Sequence, residues 1–333
     1  MHNTHMSLGE CGMNVEEAVG ARYSAAAKER DATLCCPVTY DPKYLKVIPQ
    51  EILEKDYGCG NPSLHVRTGD TVLDLGSGGG KMCFIVSQIV GRSGRVIGVD
   101  MNDDMLALAR KHRQGVGEAI GWRNVEFRKG RIQDLALDVE KADEELRGRP
   151  ISSVAELMEM ERRFTYLRET EPMIASDSVD VVISNCVLNL VDPSAKAQLF
   201  SEIFRVLKVG GRAVISDIVS DRTVPAALMK NPELWSGCIA GALTEGDFLK
   251  AFTRAGFGRA ETRQRQEKPW RVIEGIEFRS VTVEATKEST MAQSAEVSSR
   301  TFSVWPATPL AQKFAAFARN GANPDSCCGD GRH

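Results

Sequence analysis

Nine cysteines, at positions 11, 35, 36, 59, 83, 186, 238, 327 and 328, are the side chains of this 333-residue chain best suited to unusual chemistry. Cys35 and Cys36 are adjacent and stand before Pro37. Three others occupy distinctive settings: Cys59 in "DYGCGNP", Cys186 in "ISNCVLNL" and Cys238 in "ELWSGCIAGAL". If their sulfurs met at one point they would form a soft-donor site selective for thiophilic ions. Structural zinc normally takes four ligands, and none of these cysteines belongs to a C-x2-C pair, so the pattern speaks against zinc. Any one of them alone fits a small buried hydrophobe, and Cys83, on an apolar helical stretch, fits it best.

A second chemical feature is the loop Asp74-Leu75-Gly76-Ser77-Gly78-Gly79-Gly80-Lys81. A phosphate-cradling P-loop needs glycine at 75 and Ser or Thr after the lysine, where Leu75 and Met82 stand. The dinucleotide fingerprint needs glycine at 81, which is lysine. What remains is a loop that lets backbone approach a ligand closely. Asp100, at the tip of the next apolar run, is placed to accept hydrogen bonds from ribose hydroxyls. A ribose ligand without a phosphate cradle points to adenosine attached to something else.

These residues need a frame. From Asp70 onward, apolar runs alternate with helical patterns: "DTVLDL", "MCFIVSQIV", "RVIGVD", "NDDMLALARKHRQ", "NVEFRKG", "VDVVISN", "KAQLFSEIFRVLKVGG" and "RAVISDIV". That rhythm predicts an α/β fold with a doubly wound, mainly parallel sheet, Rossmann-like, whose ligands bind at the carboxyl ends of the strands. Cys186 falls on that edge. We expect a helical cap over 1–62 bearing the thiol pair, with helices in "NVEEAVGARYSAAAKER" and "KYLKVIPQEILEKDYG". The sheet domain covers 63–223, with a charged helical insertion at 138–175 in which Ile151, Val154, Leu157 and Met158 recur at helical spacing. A substrate-binding part follows over 224–285, then a linker-like tail over 286–333 ending in Cys327-Cys328.

The net charge of −3 supplies no basic field for nucleic acid. No run of about 18 apolar residues reads as a membrane span, and the first residues lack the layout of a signal peptide. A cytoplasmic chain with no nucleic-acid or membrane partner is the expectation, its cysteines mostly reduced.

The segments "YGCG", "LDLGSGGGKMCFIVSQIVG", "GVDMNDDML", "ISNCVLNLV" and "LWSGCIAGAL", in this order over roughly residues 30–285, resemble the arsenite methyltransferase family within the class I S-adenosylmethionine-dependent methyltransferases. The resemblance implies that Asp74, Gly76, Ser77, Gly78, Gly80 and Asp100 hold the methionine and ribose of the cofactor. It places Met101, Ile132 and Gln133, or Asp134 beside them, near the adenine, and counts Asn185 with the cofactor site. It further implies that Cys59, Cys186 and Cys238 hold trivalent arsenic, arsenite or methylarsenite. Cys35 or Cys36 then takes part in a redox cycle with Cys59, reset by thioredoxin or glutathione. Two other functions fit the residues: methylation of a small organic or organoarsenic acceptor, with the cysteines as core, and non-enzymatic binding of soft metal ions. No His/Asp or Tyr constellation for a general base stands out, and only His65 and His112 lie in the body of the chain.

Overall fold

Short runs of β-branched and apolar residues become strands because such side chains pack well on a pleated surface buried on both faces. In the computed structural model, which describes residues 15–31, 34, 38–55, 57–148 and 150–289, five of them lie parallel. These are β1 (Thr71–Leu75), β2 (Arg95–Asp100), β3 (Val125–Lys129), β4 (Val179–Asn185) and β5 (Leu207–Ser220), in spatial order β3-β2-β1-β4-β5. Leu75 is level with Val99 on one side and Ser184 on the other, so Gly76, Asp100 and Asn185 emerge together at the carboxyl edge. The direction of winding switches between β1 and β4, where open α/β sheets bind ligands. The doubly wound, mainly parallel sheet expected above is the one observed.

Helices cover the two faces. They are α1 (Val15–Lys28), α2 (Pro42–Leu45), α3 (Gln50–Glu54), α4 (Lys81–Val90), α5 (Asp103–Ile120), α6 (Val139–Leu146), α7 (Val154–Thr170), α8 (Lys196–Val206), α9 (Ala226–Met229), α10 (Pro232–Ser236) and α11 (Glu245–Arg254). One face buries Leu73, Leu75, Val182, Phe200, Ile203 and Phe252. The other buries Val72, Phe84, Val86, Leu106 and Ile183. At about 1.5–3 kcal/mol for each large side chain removed from water, these layers fix the sheet that carries the loops at its edge. Helix ends follow local chemistry: the Asn102 side chain accepts the Met105 N–H to start α5, and Gly121, at φ 87°, ends it.

Four details depart from the sequence expectations. Pro49 splits the helix read in 43–58 into α2 and α3, since it cannot donate the backbone bond that a continuous helix requires. α8 stops at Val206 rather than at Gly210 and Gly211, because Leu207 already pairs with Val179 and Gly210 N–H donates to Lys287 O. The insertion forms two helices, and Ile151, Val154 and Met158 face water instead of packing, while Leu167 is the α7 residue that is buried. Finally, residues 224–285 add strands to the same sheet: β6 (Leu243–Thr244), β7 (Arg259–Arg265), β8 (Arg271–Ile273) and β9 (Ile276–Thr286), with β9 antiparallel to β5 and β7 antiparallel to β9. Among the described residues no helix is long and apolar enough to cross a membrane. Cys11, Cys35, Cys36 and the tail carrying Cys327 and Cys328 lie outside the described residues.

Candidate functional site

The glycine loop after β1 and the tip of β2 open onto a cavity of about 480 Å³. Asp74, Gly76, Ser77, Gly78, Asp100, Met101, Ile132, Gln133, Asn185 and Cys186, all expected at a site, line it. Gly76 (φ 70°) and Gly78 (φ 51°) take left-handed backbone, and a Cβ on Gly76 would collide with Val187. Asp100 accepts the Gly78 N–H on Oδ2 and the Asn102 N–H on Oδ1, both at 2.8 Å, which fixes its carboxylate at the rim. Burial raises its pKa, opposed by those backbone donors. Asp74 lies deeper and accepts the Cys83 thiol at 3.2 Å. Cys83 is fully buried, as a core residue should be, and burial followed by the charge of Asp74 pushes its thiol well up.

The cavity suits an adenosyl ligand with a polar tail. Ser77 Oγ is buried there with no hydrogen-bond partner, a group that costs free energy until something pairs with it. Gly80 plays a different part from the one expected: it is absent from the cavity wall, and its φ of 87° and the Phe127 ring 2.7 Å from where a Cβ would sit make it a packing glycine that starts α4. Asp134 is also turned away, ion-paired with Arg168 of α7 at 2.8 Å. None of the described residues of 138–175 lines the cavity.

Three cysteine sulfurs gather at the end of β4, and Cys186 among them lines the cavity. Cys59, Cys186 and Cys238 sit in one buried cluster with Ile218, Ile239 and Phe278. Cys238 Sγ donates to Cys186 O at 3.0 Å. Cys59 and Cys186 form a disulfide with a Cα–Cα separation of 5.8 Å, inside the usual bridging range. This departs from the expectation of open thiols; the expected partners Cys35 and Cys36 lie outside the described residues. Cys186 (φ 62°) and Cys238 (φ 61°) both stand on left-handed backbone, which few non-glycine residues adopt and which clusters at functional sites.

The elements around the thiols explain their placement. Asn185, at the end of β4, accepts the Cys59 N–H at 2.8 Å and the Gly60 N–H at 3.0 Å on Oδ1, and its Nδ2 donates to Gly60 O at 2.8 Å. Its amide is thus engaged by the Cys59 loop rather than held free for a cofactor. A Cβ at Gly58 would collide with that amide, and one at Gly60 with Ser216, so the "GCG" triplet is a close-approach requirement. On the other side, Asn189 Nδ2 donates to Asp217 Oδ1 at 2.8 Å, to Ile218 O at 2.7 Å and to Cys238 O at 3.2 Å. Lys196 Nζ donates to Gly241 O at 2.5 Å. Burial pushes the Asp217 carboxyl up to about 6 and the Lys196 ammonium down to about 8.

Sequence reasoning missed Asn189, Asp217, Lys196 and the reach of α1. From α1, Val19, Gly20, Tyr23 and Ser24 wall the cavity. Arg22 Nη1 donates to Glu233 O and Ser236 Oγ, both at 3.0 Å, just ahead of Cys238. Tyr23 stacks edge-on against Tyr57, and its hydroxyl is hydrogen-bonded to Cys238; burial first, then that thiol, raises the phenol pKa well above its usual value. The pattern "ARYSAAAKER" announces a helix but not what it covers. His65 is paired with Glu284 and His112 with Glu51, and neither lines the cavity.

Residues 67–256 match a family model described as a methyltransferase domain. An arsenite methyltransferase of Aquipseudomonas alcaligenes is 35% identical over 227 residues, 67% of this chain and 55% of the relative. Another, from Halobacterium salinarum, is 36% identical over 212 residues, 63% and 43% of the two chains. The crystal structure of CrArsM, an arsenic(III) S-adenosylmethionine methyltransferase from Chlamydomonas reinhardtii, superposes with a TM-score of 0.58 at 28% identity, covering 76% of this chain and 75% of that one. The chain spans about half the length of the curated relatives it matches.

Proposed function

The chain belongs to the methyltransferase-domain family, and from that premise we propose that it transfers a methyl group from S-adenosylmethionine to trivalent arsenic, as arsenite or methylarsenite. The observation that carries the reading is the meeting of Cys59, Cys186 and Cys238 beside the cavity, with Cys186 belonging to both. The similarity to arsenite methyltransferases supports the same acceptor.

When bound, S-adenosylmethionine supplies an electrophilic sulfonium methyl. The chain's part is placement. The Gly76–Gly78 backbone and the unpartnered Ser77 hydroxyl receive the polar end, Asp100 accepts ribose hydroxyls, and Met101, Ile132 and Gln133 flank the base. Cys59, Cys186 and Cys238, as thiolates, hold the arsenic substrate, whose lone pair is then free to attack in line. Arsenic supplies that pair itself, so no general base is required, in keeping with the positions of His65 and His112. Forming the As–C bond leaves arsenic two electrons poorer. Two neighbouring thiolates return them by closing a disulfide, and Cys59 with Cys186 is one pair within reach. Thioredoxin or glutathione reopens it by thiol exchange, with Cys35 or Cys36 as a relay.

The test is incubation of the protein with S-adenosylmethionine, arsenite or methylarsenite, glutathione and thioredoxin, followed by separation of arsenic species, with Cys186→Ser and Cys238→Ser in parallel. Methylated arsenic from the parent and none from the variants is the expected result. Methylation of an organic acceptor that survives both substitutions would refute the thiol site, and stoichiometric arsenite binding without methylation would refute the transfer.

A further inference from the structure

Three sulfurs meet at the end of β4, and a fourth donor stands with them. Ligand atoms of Cys186, Asp217 and Cys238 lie within 4.8 Å of one another, and all three residues are buried. Cys59 Sγ, bonded to Cys186 Sγ, adjoins this group. The Asp217 carboxylate is 1% exposed and is aimed by hydrogen bonds from Asn189 Nδ2 at 2.8 Å and Ile218 N–H at 2.7 Å to Oδ1, and from Asn189 N–H at 3.3 Å to Oδ2. Bonds from outer groups that orient a ligand in this way typify metal sites. Trivalent arsenic needs only three thiolates, so the carboxylate is surplus to the proposed substrate.

We propose that, once the Cys59–Cys186 disulfide is reduced, Cys59, Cys186, Cys238 and Asp217 form a tetrahedral site for a divalent d10 cation, zinc or cadmium. Reduction takes two electrons from a dithiol or a phosphine, with two protons from the dithiol itself or, for the phosphine, from water. The S–S bond breaks to two thiols while the reductant becomes a disulfide or a phosphine oxide, the latter taking its oxygen from water. Binding then displaces the thiol protons to solvent without further redox change. Donors of tetrahedral zinc stand about 3.5–4 Å apart for bonds of about 2.0–2.3 Å, so Cys186, Asp217 and Cys238 close to that spacing with small side-chain rotations, and Cys59, freed from the disulfide, supplies the fourth donor from the adjoining loop. Charge is tolerable: three thiolates and a carboxylate around a divalent ion leave −2, as in four-cysteine zinc sites, and the buried Lys196 ammonium stands nearby to offset part of it. The sequence argued against zinc for want of a paired-cysteine motif and a fourth ligand; Asp217, on β5, supplies that ligand through the fold. An ion held there occupies the sulfurs that the proposed arsenical uses, so zinc competes with it at this site.

The experiment uses the full chain, free of arsenic and S-adenosylmethionine. Zinc is titrated against protein reduced with a phosphine and against protein left oxidised, with Cys238→Ser and Asp217→Asn alongside. Reduced parent is expected to bind one equivalent more than oxidised parent or reduced Cys238→Ser. Losing a group that merely orients a ligand costs about 10–100-fold in metal affinity, so loss of the carboxylate ligand should weaken that equivalent at least about tenfold. Equal binding by oxidised and reduced protein, or unchanged affinity in a folded Asp217→Asn, overturns the proposal. Should that variant not fold, the zinc K-edge spectrum of the reduced parent, taken as the difference from Cys238→Ser, decides: three sulfurs and one oxygen support the site, and any other shell refutes it. None of these readouts depends on methyl transfer, so the site and the proposed reaction can fail separately.

Discussion

Replacing Asn185 by alanine removes the clamp on the Cys59 loop. Oδ1 accepts from two backbone N–H groups and Nδ2 donates to one carbonyl, at 2.8–3.0 Å. Each buried polar group left without a partner costs about 1–3 kcal/mol. Gly60 O keeps the Tyr40 hydroxyl as a donor, and the adjoining cavity admits water to part of the loop, so the low end of that range applies to the two N–H groups, about 2 kcal/mol together. In a chain of this size that lowers the melting temperature by about 4 °C. Because Cys59 is carried on the loop, methylation of a trivalent arsenical should fall further than cofactor binding does. A loss of about 10–100-fold in kcat/KM corresponds to 1.4–2.7 kcal/mol of misplacement in the transition state. Asn185→Asp keeps the two accepted bonds and loses the donated one, so it should fall between. The assay pairs arsenic speciation kinetics with cofactor binding by calorimetry and with thermal melting. An alanine variant within twofold of the parent in kcat/KM and unchanged in melting would refute the clamp.

Three other outcomes follow from the geometry. Gly80→Ala places a Cβ 2.7 Å from the Phe127 ring at φ 87°, and should cost more than about 1–2 kcal/mol in denaturant unfolding, whereas Gly115→Ala, whose Cβ meets nothing, should be neutral or stabilising. Asp217 has its folded pKa raised from 3.8 to about 6, so the folded state holds the proton more tightly. Its favourable contribution is complete below about pH 4 and is lost as pH rises through 6, a change of about 3 kcal/mol that Asp217→Asn should flatten in melting curves taken across that window. Arg22→Ala cuts the bonds from α1 to Glu233 O and Ser236 Oγ, and a rise of about 3–10-fold in the KM for S-adenosylmethionine is expected with little change in melting; an unchanged KM would show that α1 does not close the cavity.

The sheet was legible because each core strand is an apolar run bounded by turn residues, and the alternation with helices leaves few topologies. Cys186 could be placed at the ligand-binding edge for the same reason: it follows β4 directly. Cys59 and Cys238 could be suspected from their glycine-flanked settings, but what brings them to Cys186 is a side chain, Asn185, and a left-handed turn, and neither has a local signature. Asp217 sits in "VISDIV", where it reads as one polar step in a strand; its burial against the cysteines is a tertiary fact. The stretch from Ile151 to Met158 misled for the opposite reason. Its apolar spacing is helical, yet the helix turns that side to water and is held instead by its Ser153–Glu156 capping box, its Arg163–Glu145 and Arg168–Asp134 ion pairs and by Leu167.

The left-handed backbone at Cys238 shows how firmly its surroundings hold that residue. An L side chain at φ 61° gives up roughly 1 kcal/mol that glycine would recover. Glycine would forfeit the packing of a buried side chain against Ile218 and Ile239 and the bonds of its sulfur to Cys186 O and Tyr23, a loss of about 1–3 kcal/mol or more. A laboratory selection for heat resistance alone therefore gains nothing by trading this sulfur away, and the strained turn survives it together with the thiol cluster.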